Sequence, residues 1–406
     1  MKVIKYLVIF ALLFAVCFGA VAKSGLPFTV DNRLRLEWDD NIRQEWKGAE
    51  DESWKIIEQL QIIGDISAEN TFVSVRYLPS YTYWDNKPGY DSSDLHHALD
   101  FMLNQKFSPR LTLAIGETLR YSELSELRAT DSSDVIIRPD NTYLYNTASA
   151  DLSYRMTTSM KLRASGEYEI LSYDENDVSY REDYDIFGVG FDVQNVFTEN
   201  TTAGVQLRLS EIGYDGGQDS KGIKFGDRSS NDMQIGGNLQ QIFSPQLLGN
   251  VRAGYMKKEF DDTDTDDTDA PYGDASLTYL PSPRTRITLG GSYSLYEADV
   301  YPYANQTRTS VYGSLGTDVT GKIDFFVSGA YTMGEYKAEE AVQTPGYNNA
   351  KLKGGDDDVI QVSSRLRYNV YHRNFIELGY QYTDISSDVR VEYDRNRYWI
   401  GWQTRL

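Results

Sequence analysis

"RLTLAIGETLRYS", residues 110–122, sets Leu111, Leu113, Ile115, Leu119 and Tyr121 on alternate positions, with Arg110, Thr112, Ala114, Gly116, Thr118 and Arg120 between them. A period of two sends side chains to opposite faces of a strand, so this segment reads as β-structure with one apolar and one polar face. "TRITLGGSYSLYE" (285–297) and "KIDFFVSGAYTMG" (322–334) repeat the pattern: Ile287, Leu289, Tyr293 and Leu295 in the first, and Ile323, Phe325, Val327, Tyr331 and Met333 in the second. Such runs exceed the roughly 5–6 residues of an ordinary globular strand. They match the roughly 9–11 that cross a bilayer at a tilt, plus an overhang.

The connections alternate too. Tight turns fall at 107–111, 156–160, 197–201, 243–247, 280–285, 319–323 and 371–375, with a weaker signal in "GDISAEN" (64–70). Between them lie polar loops near 39–53, 85–93, 122–141, 174–182, 215–230, 261–271, 299–305 and 337–356, rich in Asp, Ser, Gly and Asn. Short, long, short, long is the layout of an up-and-down antiparallel barrel in an outer membrane. About eighteen strands follow, from 27–38 through 272–281, 357–371 and 374–384 to 391–406. An even count places both termini on one side, expected to be the periplasmic one. The 31 Tyr and 6 Trp suit two interfacial girdles.

The amino terminus agrees. "MKVIKYLVIFALLFAVCFGAVAKS" carries Lys2 and Lys5, an apolar stretch to Phe18 and then Ala20-Val21-Ala22, the form of a cleaved secretory signal. The expected organisation is a signal over 1–22 and a single barrel domain over 23–406. The one cysteine, Cys17, would leave with the signal, so no disulfide framework or thiolate site is available to the mature chain. Forty Lys and Arg stand against 60 Asp and Glu; without Lys2 and Lys5 the balance is 38 against 60, a net −22. That acidity argues against nucleic-acid binding, which needs a basic face. After residue 22 no long apolar run remains and mean hydropathy is −0.50, which excludes a helical membrane protein and leaves a strand-built one open.

The chain ends "RYWIGWQTRL" (397–406), where Tyr398, Ile400, Trp402 and Leu406 fall on one parity and Arg397, Trp399, Gln403 and Arg405 on the other. This strand resembles the C-terminal β-signal that the outer-membrane barrel assembly machinery recognises, although that signal most often ends in Phe or Trp and here ends in Leu406. The column from Tyr398 to Leu406 is expected to face lipid.

An 18-stranded barrel is wide enough to hold an aqueous channel. Pore-lining candidates are the inward-parity charges Lys161, Arg163, Glu167 and Glu169 on one strand, with Arg208, Arg252, Arg286, Arg365 and Arg367 on others. Charges of both signs across a constriction set ion preference. The alternative is cross-strand pairing that only supports the wall.

Asp262, Asp264 and Asp266 in "DDTDTDDTDAPYGD" have the alternate spacing of a calcium loop, but Asp267 and Gly273 stand where that loop requires Gly and Glu. This is a weak divalent candidate at most, and a solvated acidic loop is the plainer reading. His96, His97 and His372 have no nucleophile or acid in a local catalytic signature, so no catalytic residue and no enzyme is expected. Gly290-Gly291 lies inside a strand with no helix after it, which rules out a phosphate loop and leaves no cofactor expected.

"RLRLEWDDNI" (33–42), followed by hairpins with "SPRL"-like turns, resembles the β-barrel porins found beside envelope polysaccharide systems in Gram-negative bacteria. The resemblance implies an outer-membrane channel for diffusion or export. Its expected partners are outer-membrane lipid and the assembly machinery, with a homo-oligomer or a periplasmic export partner as further options. A plugged barrel serving as scaffold is the main alternative, and a barrel hydrolase a distant third without a catalytic signature.

Overall fold

The computed structural model describes residues 28–86, 92–122, 142–174, 179, 182–214, 228–262, 265–337 and 353–405. The expected signal over 1–22, Asp264, Leu406 and most of the 122–141 and 337–356 loops lie outside the described residues.

The described chain forms β1 (Phe28–Asp39), β2 (Ser53–Ser67), β3 (Thr71–Trp84), β4 (Ser93–Lys106), β5 (Leu111–Ser122), β6 (Tyr143–Arg155), β7 (Met160–Tyr173), β8 (Tyr184–Thr198) and β9 (Thr201–Tyr214). It continues with β10 (Ser230–Ser244), β11 (Leu247–Phe260), β12 (Thr268–Ser282), β13 (Thr285–Glu297), β14 (Asn305–Thr320), β15 (Ile323–Tyr336), β16 (Gly355–Tyr371), β17 (Asn374–Ser387) and β18 (Tyr393–Arg405). Each strand pairs antiparallel with the next, and β1 pairs with β18 from Asp31↔Arg405 to Asp39↔Arg397. The ladder therefore closes, and every strand has a neighbour on both sides. Closure is what lets a sheet sit in hydrocarbon, where an unpaired amide costs several kcal/mol. Eighteen strands about 4.8 Å apart, tilted by the usual 35–45°, enclose a cylinder roughly 35 Å across between backbones.

Side chains define the tight turns. Ser108, Thr157, Thr198, Ser244, Ser282 and Thr320 each stand at a turn entrance and accept a backbone N–H from two or three residues ahead, as in Leu111 N to Ser108 Oγ at 3.0 Å and Met160 N to Thr157 Oγ1 at 2.9 Å. These hydroxyls replace a strand hydrogen bond where the chain reverses. The turns after Ser67 and Tyr371 have no hydroxyl of this kind, and in the second His372 takes a positive φ of 39°. Beside five turns the register slips, at Val196/Thr198, Ile242/Ser244, Tyr279/Ser282, Asp318/Thr320 and Asn369/Tyr371. Such bulges bend the strand ends and increase local twist.

The largest boundary difference from the sequence expectation is at β12, which begins at Thr268, not 272, so the last four residues of the acidic 261–271 segment are strand. Pairing between β12 and β13 starts only at Gly273↔Tyr293, so Pro271 meets a partner on the β11 side alone, through Tyr255. Proline is tolerated at such a free edge.

The two faces separate by exposure. Phe191, Val205, Ile235, Leu289 and Val311 are 54–62% exposed on successive outward positions. Large apolar side chains standing out in a belt around the whole sheet form the surface that lipid covers. The opposite face is polar. Near the long-loop ends of the strands its residues are buried, as in the cluster Val359, Ile385 and Tyr393, whereas toward the tight turns Arg286 and Arg365 are exposed. The interior is thus packed at one end and open at the other.

Candidate pore lining

In "RLRLEWD", Leu34 and Leu36 face outward, which turns Arg33, Arg35, Glu37 and Asp39 into the lumen. The last strand brings Arg395, Arg397 and Trp399 to the same face across the closing seam, and β2 adds Lys55. Lys55 Nζ lies 2.5 Å from Asp39 and 2.9 Å from Glu37, while Arg395 grips Asp39 through both Nε (2.9 Å) and Nη2 (2.5 Å). Arg35 reaches Glu37 at 3.1 Å, Arg33 pairs with Glu377, and Trp399 Nε1 donates to the same Glu377 at 2.7 Å. Asp39 is 0%, Glu37 2% and Lys55 4% exposed. Burial on this scale is tolerable only with every charge matched, since an isolated ion would lose its hydration without return. Lys55 also sits 4.5 Å from the ring of Trp84, whose Nε1 donates to Asp94 at 2.5 Å.

A second cluster closes the long-loop end of β14–β16. The 298–304 loop brings Asp299 to Arg390 (3.3 Å) and Arg308 (3.8 Å), and it accepts from Gln306 Nε2 (3.1 Å) and from the Tyr336 hydroxyl. Arg390, from the loop before β18, also holds Asp357, with Nε 3.0 Å from Oδ1. Burial pushes the Asp299 carboxyl up, but Arg390, then Arg308 and the Tyr336 hydroxyl outweigh it and hold the group below its ordinary value. Gln306, Arg308, Tyr336 and Asp357 are lumen-facing and buried, so these two loops pack inside the mouth. The 298–304 and 388–392 loops carry this second cluster, while residues 123–141 and 338–352 lie outside the described residues.

The sequence candidates divide. Arg163 meets Asp151 at 2.6 Å and Asp192 at 3.9 Å, Arg252 meets Asp274 at 2.5 Å, and Arg367 meets Asp324 at 2.7 Å, all across strands. Glu169 accepts from Tyr145 (2.8 Å) and Tyr184 (2.7 Å). These pairs brace the wall. Lys161, Arg208 and Arg286 lie on the lumen parity with no ion pair to a described residue, Arg365 rests 5.9 Å from the Phe326 ring, and Glu167 stands between Ser149 and Gly188. In β18, Tyr398, Ile400 and Trp402 stand 44–51% exposed on the outer face, and Arg405 clasps Asp31 on the inner one at 2.9 Å.

Among the described residues of the acidic loop no such convergence appears. Asp262 is engaged by Thr265, whose N–H donates to the Asp262 carbonyl at 3.2 Å, and Asp267 accepts from Phe260 N at 3.2 Å. His96 and His97 adjoin on β4, where His96 bonds Ser122 and His97 bonds Tyr77, each at 2.7 Å, and His372 packs on Tyr371 in its turn. Sequence reasoning missed Glu37, Asp39, Lys55, Glu377 and Arg395 as a group. The available signal was charge at period two in "RLRLEWD" facing "DRNR" (394–397).

The model of the family described as "Putative beta-barrel porin 2" matches residues 183–406, more than half of the chain. The protein belongs to this family. As a barrel porin its place is the bacterial outer membrane, with the apolar belt in lipid and the charged face around the lumen. No curated protein matches its sequence. Among solved structures, this porin is similar to Pseudomonas aeruginosa opdK, at 12% identity and a TM-score of 0.49 over 94% of this chain and 100% of that one. OccK2 (OpdF) of the same organism gives 12% and 0.47 over 94% and 100%, and Acinetobacter baumannii OccAB4 gives 12% and 0.48 over 93% and 98%.

Proposed function

We propose that this porin is a passive, non-enzymatic channel for small polar solutes, exported with removal of residues 1–22 and seated in outer-membrane lipid by the assembly machinery. The observation that carries the reading is the gradient inside the barrel. Charges are locked in buried pairs at the long-loop end, while Lys161, Arg208, Arg286 and Arg365 line the rest without a carboxylate ion pair among the described residues. Loops clasped over the mouth set the width, and the uncommitted cations set ion preference. Planar-bilayer recording tests it: steady openings are expected, with reversal potentials shifted toward cations in Arg208→Glu and Arg365→Glu.

The packed mouth favours one rival, a plugged barrel that serves as a scaffold for an envelope export partner. Absence of steady openings from correctly folded protein would select it.

A further inference from the structure

We propose that the lumen wall from β8 to β14 carries a binding site for neutral oligosaccharides; the idea rests on the channel reading and names the solute that the channel selects. A cavity of about 410 Å³ lies against this stretch, between Ile186 of β8 and Tyr312 of β14, within the roughly 300–1,000 Å³ usual for small-molecule sites.

Two features of its lining match a sugar. The first is Tyr312, laid along the wall beside the buried Tyr272. Tyr312 lies across Gly290, and the Tyr272 hydroxyl reaches over Gly236 and Gly254; a Cβ at Gly290 would collide with the Tyr312 ring, and one at Gly254 would come within 2.7 Å of the Tyr272 hydroxyl. Glycine at these positions lets the aromatic side chain lie down on the sheet. The Tyr272 ring is buried among Met256, Ala270 and Leu295, with its hydroxyl accepting from Gln206 Nε2 at 2.9 Å, so the half-buried Tyr312 is the aromatic group available to the C–H side of a pyranose ring.

The second feature is the Arg252–Asp274 pair, 2.5 Å apart and still 44% and 38% exposed. It offers a donor and an acceptor side by side. Neighbouring sugar hydroxyls each donate and accept, so they match such a pair. Gln234 and Ser292 add amide and hydroxyl groups to the same lining.

Charge decides the class of sugar. The cavity carries Asp232, Asp274 and Glu297, against Arg252 and the Lys258 that pairs with both Asp232 (3.0 Å) and Glu297. Three carboxylates against two cations leave an excess of negative charge, which disfavours an acidic sugar.

The test uses the full-length mature barrel, with maltohexaose and cellohexaose as probes and a polyethylene glycol of matched size as control. Calorimetry in detergent reads binding, and single-channel recording reads transport. We expect heat of binding and transient current blocks with at least one sugar and none with the glycol. Tyr312→Ala and Arg252→Met should each weaken binding about tenfold, with heat-modifiable gel migration confirming that each variant folds. Conductance without sugar binding overturns the site and leaves the channel standing. Binding without conductance keeps the site and overturns the channel. Binding unchanged in both folded variants overturns this location.

Discussion

Replacing Lys55 by Met should destabilise the barrel far more than any exposed charge deletion. Lys55 lies 2.5 Å from Asp39 and 2.9 Å from Glu37, all three under 5% exposed. Arg35 holds Glu37 and Arg395 holds Asp39, and Lys55 is the cation that touches both carboxylates. Removing one cation leaves a buried carboxylate short of compensation, a loss of about 3–5 kcal/mol for a broken buried pair. Met retains much of the side-chain length over Trp84, so lost packing adds little. Arg367→Met is the control, because its partner Asp324 is 39% exposed and a pair this open contributes about 0–1 kcal/mol. Urea unfolding in lipid vesicles, followed by tryptophan emission and gel migration, measures both. Equal losses in the two variants would refute the claim that the seam depends on matched buried charge.

Other outcomes follow from the same geometry. Leu289→Arg, on the lipid face at 58% exposure, should cost about 2–4 kcal/mol if it lies near the bilayer midplane, whereas Thr288→Arg on the lumen face should cost little, measured by refolding yield into vesicles. The folded Asp299 carboxyl releases its proton more readily than the unfolded one, so its clasp on Arg390 is in full force above the ordinary value of 3.8 and is lost as pH falls through the lowered folded value. Amide protection in the 298–304 loop, taken relative to the intrinsic exchange rate at each pH, should therefore fall on acidification below the ordinary carboxylate value, and Asp299→Asn should remove that pH dependence. Gly379→Ala should shift tryptophan emission in a folded barrel, because the new methyl would strike the Trp399 ring and break its bond to Glu377.

Much of this architecture was legible in the sequence. Alternation is a local property, so Leu289, Tyr398 and Ile400 declared their face without knowledge of their neighbours. Six of the turns were legible because a Ser or Thr at the entrance accepts a backbone N–H from the residues that follow. Register across the seam was not. Nothing near Asp39 tells that Arg395, 356 positions later, will meet it. The path of the 298–304 loop was hidden for the same reason, since Asp299 finds Arg390, 91 positions later. Thr268 and Asp269 read as loop because Asp and Pro are poor strand formers, and only the unpaired side of β12 explains their place in it.

The ring closes through residues as far apart as Asp31 and Arg405. Until the last segment is synthesised and folded, β1 exposes a row of amides with nothing to receive them, and the entropy of joining ends so distant is paid in one late step. A nascent chain of this kind waits with two sticky borders, each able to capture the wrong neighbour. A template that occupies those borders until the two ends meet is therefore a kinetic need written into the connectivity.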